Sequence, residues 1–338
     1  MTASIEVNDL VEIYSDGTKA VDGITFDVQE GEFFGFLGPN GAGKSTTIKV
    51  LTTLLRKTSG KASILGLDLD SQQKEIRPMI GVQSQETVVD GDLTGRENMI
   101  LQGNLHQMRG KALEERVDEL LKLVELSDVA NRRAAFYSGG MKKRLDLASS
   151  LVHKPKLLFL DEPTTGLDPQ SRATVWKYLG SLNKEEGITM FLTTQYLEEA
   201  DRLCGRLAIV DHGQIVARGS PSELKAEIGA DAITLAVESP TVGNGGSEKA
   251  RQVLGSIQGV GEIVEAEGGL TVYAKNASAL VPDIVRSFDA NGLKLASISL
   301  SRPSLDDVFL KHTGHRIRAE ELVKPPSRMG RFGRRGRS

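Results

Sequence analysis

Gly38-Pro39-Asn40-Gly41-Ala42-Gly43-Lys44-Ser45-Thr46 is the stretch that decides the fold. It follows the apolar run Phe33 to Leu37 and opens Thr46 to Leu55, a segment patterned as a helix, so it joins a buried strand to a helix N-terminus. The spacing G-x-x-x-x-G-K-[ST] sets small residues where backbone N–H groups converge on phosphate oxygens, a lysine within reach of the β- and γ-phosphates, and a hydroxyl on the metal. A helix N-terminus adds its partial positive charge. A glycine-rich turn that binds nothing needs neither the lysine nor the serine at fixed offsets, so the stretch reads as a phosphate cradle.

Around this centre, 338 residues predict two domains, and 39% apolar with 26% charged content suits a globular chain able to bury a core. The 42 basic and 45 acidic residues leave a net charge of -3, which argues against a nucleic-acid binder that is basic throughout. Cys204 is the single cysteine, so no intramolecular disulfide can form and a reducing compartment is expected. Met1 to Asp9 carries neither a basic start nor an apolar stretch, and no segment approaches about 18 consecutive apolar residues. The expectation is a cytosolic chain, neither secreted nor membrane-spanning.

Ile5, Val7, Leu10, Val11 and Ile13 lead to Tyr14 and a Ser-Asp-Gly turn, after which Ile24, Phe26 and Val28 alternate with polar residues, predicting a small antiparallel sheet. Ile64-Leu-Gly and Ile80-Gly-Val82 are short strand candidates, the second ending at Gln83-Ser-Gln85. Residues 86–154 read as a helical insert: Thr94-Gly-Arg-Glu97 is a capping box, and Leu113, Val117, Leu120, Leu121 and Val124 share one helical face. Near its end Ser138-Gly139-Gly140 precedes a helix pattern from Leu145 to Val152, by itself either an anion site or a tight turn. Leu157 to Leu160 then forms an apolar strand that ends in Asp161 and Glu162. A strand buried on both faces presents polar groups only at its end, where ligands of parallel α/β sheets gather. There one carboxylate can hold Mg²⁺ through water while the next orients or deprotonates an attacking water. Ile188 to Leu192, closed by Thr193-Thr194-Gln195, and Leu207 to Val210 are further strands, and Ser220-Pro-Ser-Glu223 is a second capping box.

The last third, from Ala232, runs strand, helix, two strands across Glu267-Gly-Gly269, helix Ser278 to Asp289 and strand Leu293 to Leu300, a ferredoxin-like order. Pro303-Ser304 caps a final helix. The expected domains are 1–228 for nucleotide binding, 229–315 for the ferredoxin-like unit and 316–338 as a basic tail. The middle unit carries no catalytic constellation and reads as a dimerisation or docking domain, with a small-molecule sensor as the alternative. The tail holds Lys324, Arg328, Arg331, Arg334, Arg335 and Arg337 among Gly, Pro and Ser, and is expected to be disordered. It is either solvated or drawn to anionic lipid, at about 1 kcal/mol per basic residue.

Cradle, Gln85, Ser138-Gly139-Gly140, Asp161-Glu162 and Gly166-Leu-Asp168 occur in the order and spacing of an ABC transporter ATP-binding subunit, a resemblance that covers about residues 4 to 225. It implies an α/β P-loop NTPase core with an antiparallel β subdomain and helical insert, joined to the α+β ferredoxin-like domain. Tyr14 matches the aromatic that stacks on adenine. Gln85 matches the glutamine that touches Mg²⁺ and senses the membrane partner. Ser138, Gly139 and Gly140 match the signature that closes over the γ-phosphate of the other subunit, and Asp168 the loop linking the two sites. On this likeness Lys44 and the cradle amides hold ATP phosphates, Ser45 and Gln85 hold Mg²⁺ with Asp161 behind it, and Glu162 is the base.

The resemblance further implies head-to-tail homodimers that hydrolyse ATP on the cytoplasmic face of the membrane to drive a separate integral membrane permease. Three positions depart from the family pattern: Tyr137 replaces a leucine, Met141 a glutamine, and Gln195 the switch histidine. The last looks like the daunorubicin-resistance branch of drug and antibiotic exporters. Glutamine cannot titrate, yet its amide can hold a phosphate oxygen and orient a water. Soluble ABC ATPases acting on ribosomes or DNA share these motifs. Ribosome types carry two cassettes and DNA-repair types a long coiled coil between cradle and signature, whereas here one cradle is followed by the short stretch from Thr46 to Ser138. A nucleotide-gated binding module with the ferredoxin-like unit as its output is the non-enzymatic alternative.

Overall fold

Strands β1 (Ala3–Ile13) and β2 (Lys19–Gln29) alternate apolar and polar residues, and a period of two sends Ile5, Val7, Ile24, Phe26 and Val28 into the interior. The computed structural model describes residues 3–228, 231–237, 245–266, 269–274, 277–301 and 303–314. In it β1 and β2 pair antiparallel, and Gly31, at φ 74°, turns the chain into β3 (Phe33–Leu37), every residue of which is buried. Helix α1 (Lys44–Leu51) follows, and β4 (Ser59–Ile64) with β5 (Leu67–Asp68) completes a first sheet of order β2-β1-β4-β5. The strand expected across Ile64-Leu-Gly ends at Ile64 instead. Leu65 and Gly66 adopt φ 52° and 77°, which reverses the chain as a hairpin turn.

After α2 (Gln73–Ile76), β6 (Ile80–Gln83) leads into three helices: α3 (Gly95–Leu105), α4 (Gly110–Leu123) and α5 (Gly139–Ser150). The Thr94/Glu97 capping box starts α3, and Leu113, Val117, Leu120 and Leu121 form the buried face of α4. The chain returns through β7 (Leu157–Asp161), α6 (Pro169–Glu186), β8 (Thr189–Thr194), α7 (Leu197–Leu203), β9 (Arg206–Asp211) and β10 (Gln214–Gly219) to α8 (Pro221–Ile228). The second sheet has the order β10-β9-β3-β8-β7-β6, with β10 antiparallel at one edge and the other strands parallel. Residues from both sheets meet in an aromatic cluster. Phe26 of the first sheet lies 5.5 to 5.8 Å from Phe34, Phe36 and Phe191 of the second. Such pairs add about 0.5–1.5 kcal/mol each beyond their buried area.

The last part folds as β11 (Asp231–Val237), α9 (Gly245–Gly255), β12 (Ile263–Ala266), β13 (Gly269–Ala274), α10 (Ala277–Ala290) and β14 (Leu295–Ser301). The sheet order β12-β13-β11-β14, antiparallel throughout, is the ferredoxin-like arrangement. Its own core joins Ile233, Leu235 and Val272 to Ile284 and Phe288 of α10. Helix α11 (Leu305–Thr313) begins at a Ser304/Asp307 capping box and buries Leu305, Val308 and Phe309 in the larger core, together with Leu224 and Ile228 of α8. The basic tail and residues 241–244 of the glycine-rich stretch lie outside the described residues. Among those described, no helix is long and apolar enough to cross a membrane.

Docking through α11 yields a stability prediction. Phe309 is fully buried, so Phe309→Ala should weaken the seat of α11 by about 3–5 kcal/mol. Urea titration followed by limited proteolysis should show residues 231–314 becoming cleavable before the nucleotide-binding part unfolds. Unchanged protease resistance would contradict the packing role.

Candidate active site

Gly38 leaves β3 with its N–H donated to Thr194 O at 3.2 Å, and a Cβ at this position would lie 2.3 Å from Val210 O. Gly43 holds φ 97°, and a Cβ there would lie 2.2 Å from Ala20 O. Only glycine meets both demands, left-handed backbone and close approach. The loop therefore closes tightly onto the N-terminus of α1, whose first N–H groups have no intrahelical partners. Above it lies a cavity of about 680 Å³ lined by Tyr14, Thr18, Lys19, Ala20, Asn40, Gly41, Gly43, Lys44, Ser45, Thr46, Gln85, Glu162 and His212. Tyr14 is fastened there by a hydrogen bond between its hydroxyl and Thr46 Oγ1 at 2.9 Å.

Lys44 is buried. Its Nζ donates to Gly38 O at 2.8 Å and Pro39 O at 3.0 Å, and stands 3.2 Å from Glu162 Oε1. Burial pulls the lysine below its usual pKa, and the charges of Glu162 and Asp161 oppose that fall. Asp161 Oδ1 accepts from Ser45 Oγ at 3.1 Å and from Thr193 Oγ1 at 2.6 Å. Glu162 sits at φ 48°, a left-handed conformation costing a non-glycine residue about 1–2 kcal/mol. It is held there by its N–H to Thr193 O at 3.0 Å and by Thr165 Oγ1, which donates to Oε2 at 3.1 Å. A hydroxyl, a carboxylate and the nearby Gln85 amide form an all-oxygen donor set. Such a set fits Mg²⁺, which takes few protein oxygens and completes its shell with phosphate and water.

Gln195 follows directly on β8 and is 8% exposed, and its Oε1 has no hydrogen-bond partner among the described residues. It lies beside the site rather than in the cavity wall. Ser138, Gly139, Gly140 and Asp168 are also absent from that wall, and instead gather with one another. Ser138 caps α5 by accepting from Met141 N–H at 3.3 Å, while Asp168 caps α6 by accepting from Ser171 N–H at 3.0 Å and Oγ at 2.6 Å. Gly140 abuts Ser171, whose Oγ would be 2.7 Å from a Cβ. The unusual Tyr137 is explained by its hydroxyl, which donates to Val129 O at 2.7 Å and occupies the space a Cβ on Gly95 would need.

A second cavity, about 550 Å³, opens between the parallel sheet and the helical insert and is lined in part by Leu54, Val82, Ser84, Val88, Asp146 and His153. His106 and His153 stack in it with centroids 3.7 Å apart, and burial pulls the pKa of both below the histidine norm. Burial likewise pushes the Asp146 carboxyl up to about 6.

Cradle residues, Tyr14, Gln85 and Glu162 thus line one cavity, and Asp161 is tied to it through Ser45. Thr18, Lys19, His212, Thr165 and Thr193 were not anticipated as site residues. Only Thr193 had a signal, its place beside Asp161 following once β7 and β8 are paired in register.

The ABC transporter family profile matches residues 21–165, and the profile of the ATP-binding protein DrrA1-3-like C-terminal domain matches residues 219–313. A daunorubicin resistance ATP-binding protein of Streptomyces coeruleorubidus is 41% identical over 90% of this chain and 93% of its own. A Nod factor export ATP-binding protein I of Burkholderia pseudomallei is 39% identical over 91% of this chain and 96% of its own. Among solved structures, a dimeric ATP-binding cassette in a post-hydrolysis state with ADP and phosphate matches with a TM-score of 0.59 and 27% identity, covering 64% of this chain and 98% of that one.

The Lys44–Glu162 contact can be tested without nucleotide. Lys44→Ala leaves a buried carboxylate without its cation and should cost about 3–5 kcal/mol in chemical denaturation. The double variant Lys44→Met/Glu162→Gln removes both charges and should lose clearly less. Equal losses in the two would contradict the pairing.

Proposed function

The chain belongs to the ABC transporter ATP-binding proteins, the ATPase subunits of drug- and antibiotic-resistance type transporters. From this premise we propose that it hydrolyses Mg²⁺-bound ATP as a head-to-tail homodimer, and so drives a separate integral membrane permease of the exporter kind from the cytoplasmic face of the membrane. The observation that carries the reading is the setting of Glu162: buried, strained, and held toward the cradle by Lys44 and Thr165.

Each group has a part in this scheme. Lys44 and the N–H groups of residues 38–46 bind the ATP phosphates, and Tyr14 offers a ring for adenine at the cavity wall. Ser45, Gln85 and Asp161 would hold Mg²⁺, which supplies neutralisation of phosphate charge. Glu162 accepts the proton of the attacking water. The free acceptor of Gln195, buried and unpaired, suits a water proton, so this side chain orients the water without taking its charge. Ser138, Gly139, Gly140 and Asp168 lie outside the cavity over their own cradle, which supports their use by a second copy.

The groove beside the insert supports a permease contact. Leu54 and Val88 line it and are 72% and 66% exposed, apolar surface that a membrane subunit would cover. The relatives' names, daunorubicin resistance and Nod factor export, support the exporter direction. The basic residues Lys324 to Arg337 would add contact with anionic lipid, and no nucleic-acid partner is expected of a chain with net charge -3.

Two variants test the chemistry. Glu162→Gln should keep ATP binding and accumulate a nucleotide-bound dimer while turnover falls by about 10²-fold or more. Near-parent turnover would remove Glu162 from the role of base. Gln195→Ala should lower turnover by about tenfold or more with ATP affinity little changed, and Gln195→His should stay active. Parent-like turnover in the alanine variant would make Gln195 a bystander.

A further inference from the structure

Residues 84–90 carry Gln85 from the end of β6 to the insert with no helix or strand of their own, and their backbone is gripped by buried side chains. Lys143 of α5, 6% exposed, donates from Nζ to Gln85 O at 2.8 Å and to Ser84 O at 3.2 Å. Asp146, one turn further on and 7% exposed, accepts at Oδ1 from Val88 N–H at 3.2 Å. Their i, i+3 spacing sets both on one face of the helix that Ser138 caps. Asn98 of α3 completes the grip, accepting from Asp90 N–H at 2.9 Å and donating to Asp90 O at 3.0 Å.

A lysine this deep is expensive to bury as a cation. Burial lowers its pKa, and the negative charges of Asp146, Asp161 and Glu162 oppose that. Its ammonium therefore feels the field of the strand-end carboxylates while bonding the backbone of Gln85. The clamped segment also faces two ways. Gln85 lines the nucleotide cavity, whereas Ser84 and Val88 line the groove on the other side.

We propose that Lys143, together with Asp146, is a positioning residue for ATP hydrolysis: it fixes Gln85 to the helix that begins at the signature, so Gln85 at its own cradle and Ser138, which serves the cradle of a second copy, move as one body. A hydrogen bond to a carbonyl moves the main chain itself, so any displacement of α5 reaches Gln85 without a side-chain rearrangement in between. Partner contact at Ser138 and an occupant of the groove therefore act on the same segment. The inference rests on the assignment of Gln85 to the nucleotide site made above.

The test uses the full chain with Lys143→Met, Lys143→Arg, Gln85→Ala and the double variant Lys143→Met/Gln85→Ala. Lys143→Met should lower kcat by about tenfold while KM for ATP stays within about threefold, and Lys143→Arg should recover most of the loss. The double variant should be no worse than the more impaired single one, because Lys143 acts on turnover only through the placement of the Gln85 side chain. Hydrogen exchange supplies a readout apart from turnover: ATP should protect residues 84–90 and 38–46 in the parent, but only 38–46 in Lys143→Met. Lys143→Gln, which keeps a donor and loses the charge, carries the same expectation at smaller size should the methionine variant not fold. Losses that multiply in the double variant, or ATP protection of 84–90 that survives Lys143→Met, would overturn the proposal. Parent-like kcat in Gln85→Ala would instead overturn the assignment of Gln85 itself, and the inference with it.

Discussion

The Lys44 ammonium, enclosed by Gly38 O, Pro39 O and the Glu162 carboxylate, is the interaction on which the site depends. A buried cation is tolerated only where its donors are satisfied and a counter-charge is near, so the loop must bend toward it and β7 must end beside it. The neighbouring Ser45–Asp161 bond repeats the connection one residue along in each partner. Between these two fastenings stands β8, and it fixes the gap. Thr194 O takes the N–H of Gly38, Thr193 Oγ1 donates to Asp161, and Thr193 O takes the N–H of Glu162. The order β3-β8-β7 thus sets how far the carboxylates stand from the cradle.

Much of this was legible in the chain before any coordinates, and the reason is local. Gly38 and Gly43 are required by backbone approach at 2.3 and 2.2 Å, Lys44 and Ser45 follow at fixed offsets, and Asp161 and Glu162 end an apolar run. The capping boxes at Thr94 and Ser304 were readable for the same reason, since each is a contact within one helical turn. What escaped was set by pairing across the sheet or by loops arriving from elsewhere. β10, an edge strand with no fully buried residue, lacks the apolar run that marks its neighbours. Lys19 reaches the cavity from the first position of β2 and His212 from the turn between β9 and β10, neither marked by a periodic signal, and the partner of Thr193 depends on register alone.

The departures from the family pattern have different physical status. Tyr137 adds a hydroxyl that finds Val129 O and relies on Gly95 for room, so a local change is matched by its surroundings. Met141 is half-buried against the main core, a role a flexible apolar chain fills easily. Gln195 keeps an unpaired buried oxygen, an acceptor free to take a hydrogen bond from water.

The seat of α11 bears on how the protein is made. Leu305, Val308 and Phe309 complete an apolar cluster that also holds residues of α4, α5, α6 and β8, all synthesised far earlier. Domains generally fold as they leave the ribosome, N-terminal parts first. Here the nascent nucleotide-binding part emerges with an apolar notch between α7 and α8 that stays open to water until residues 305–310 have been translated. The core of the nucleotide-binding part is therefore sealed only by residues 305–310, a dependence on late-made chain that a cassette closing its own core would not have.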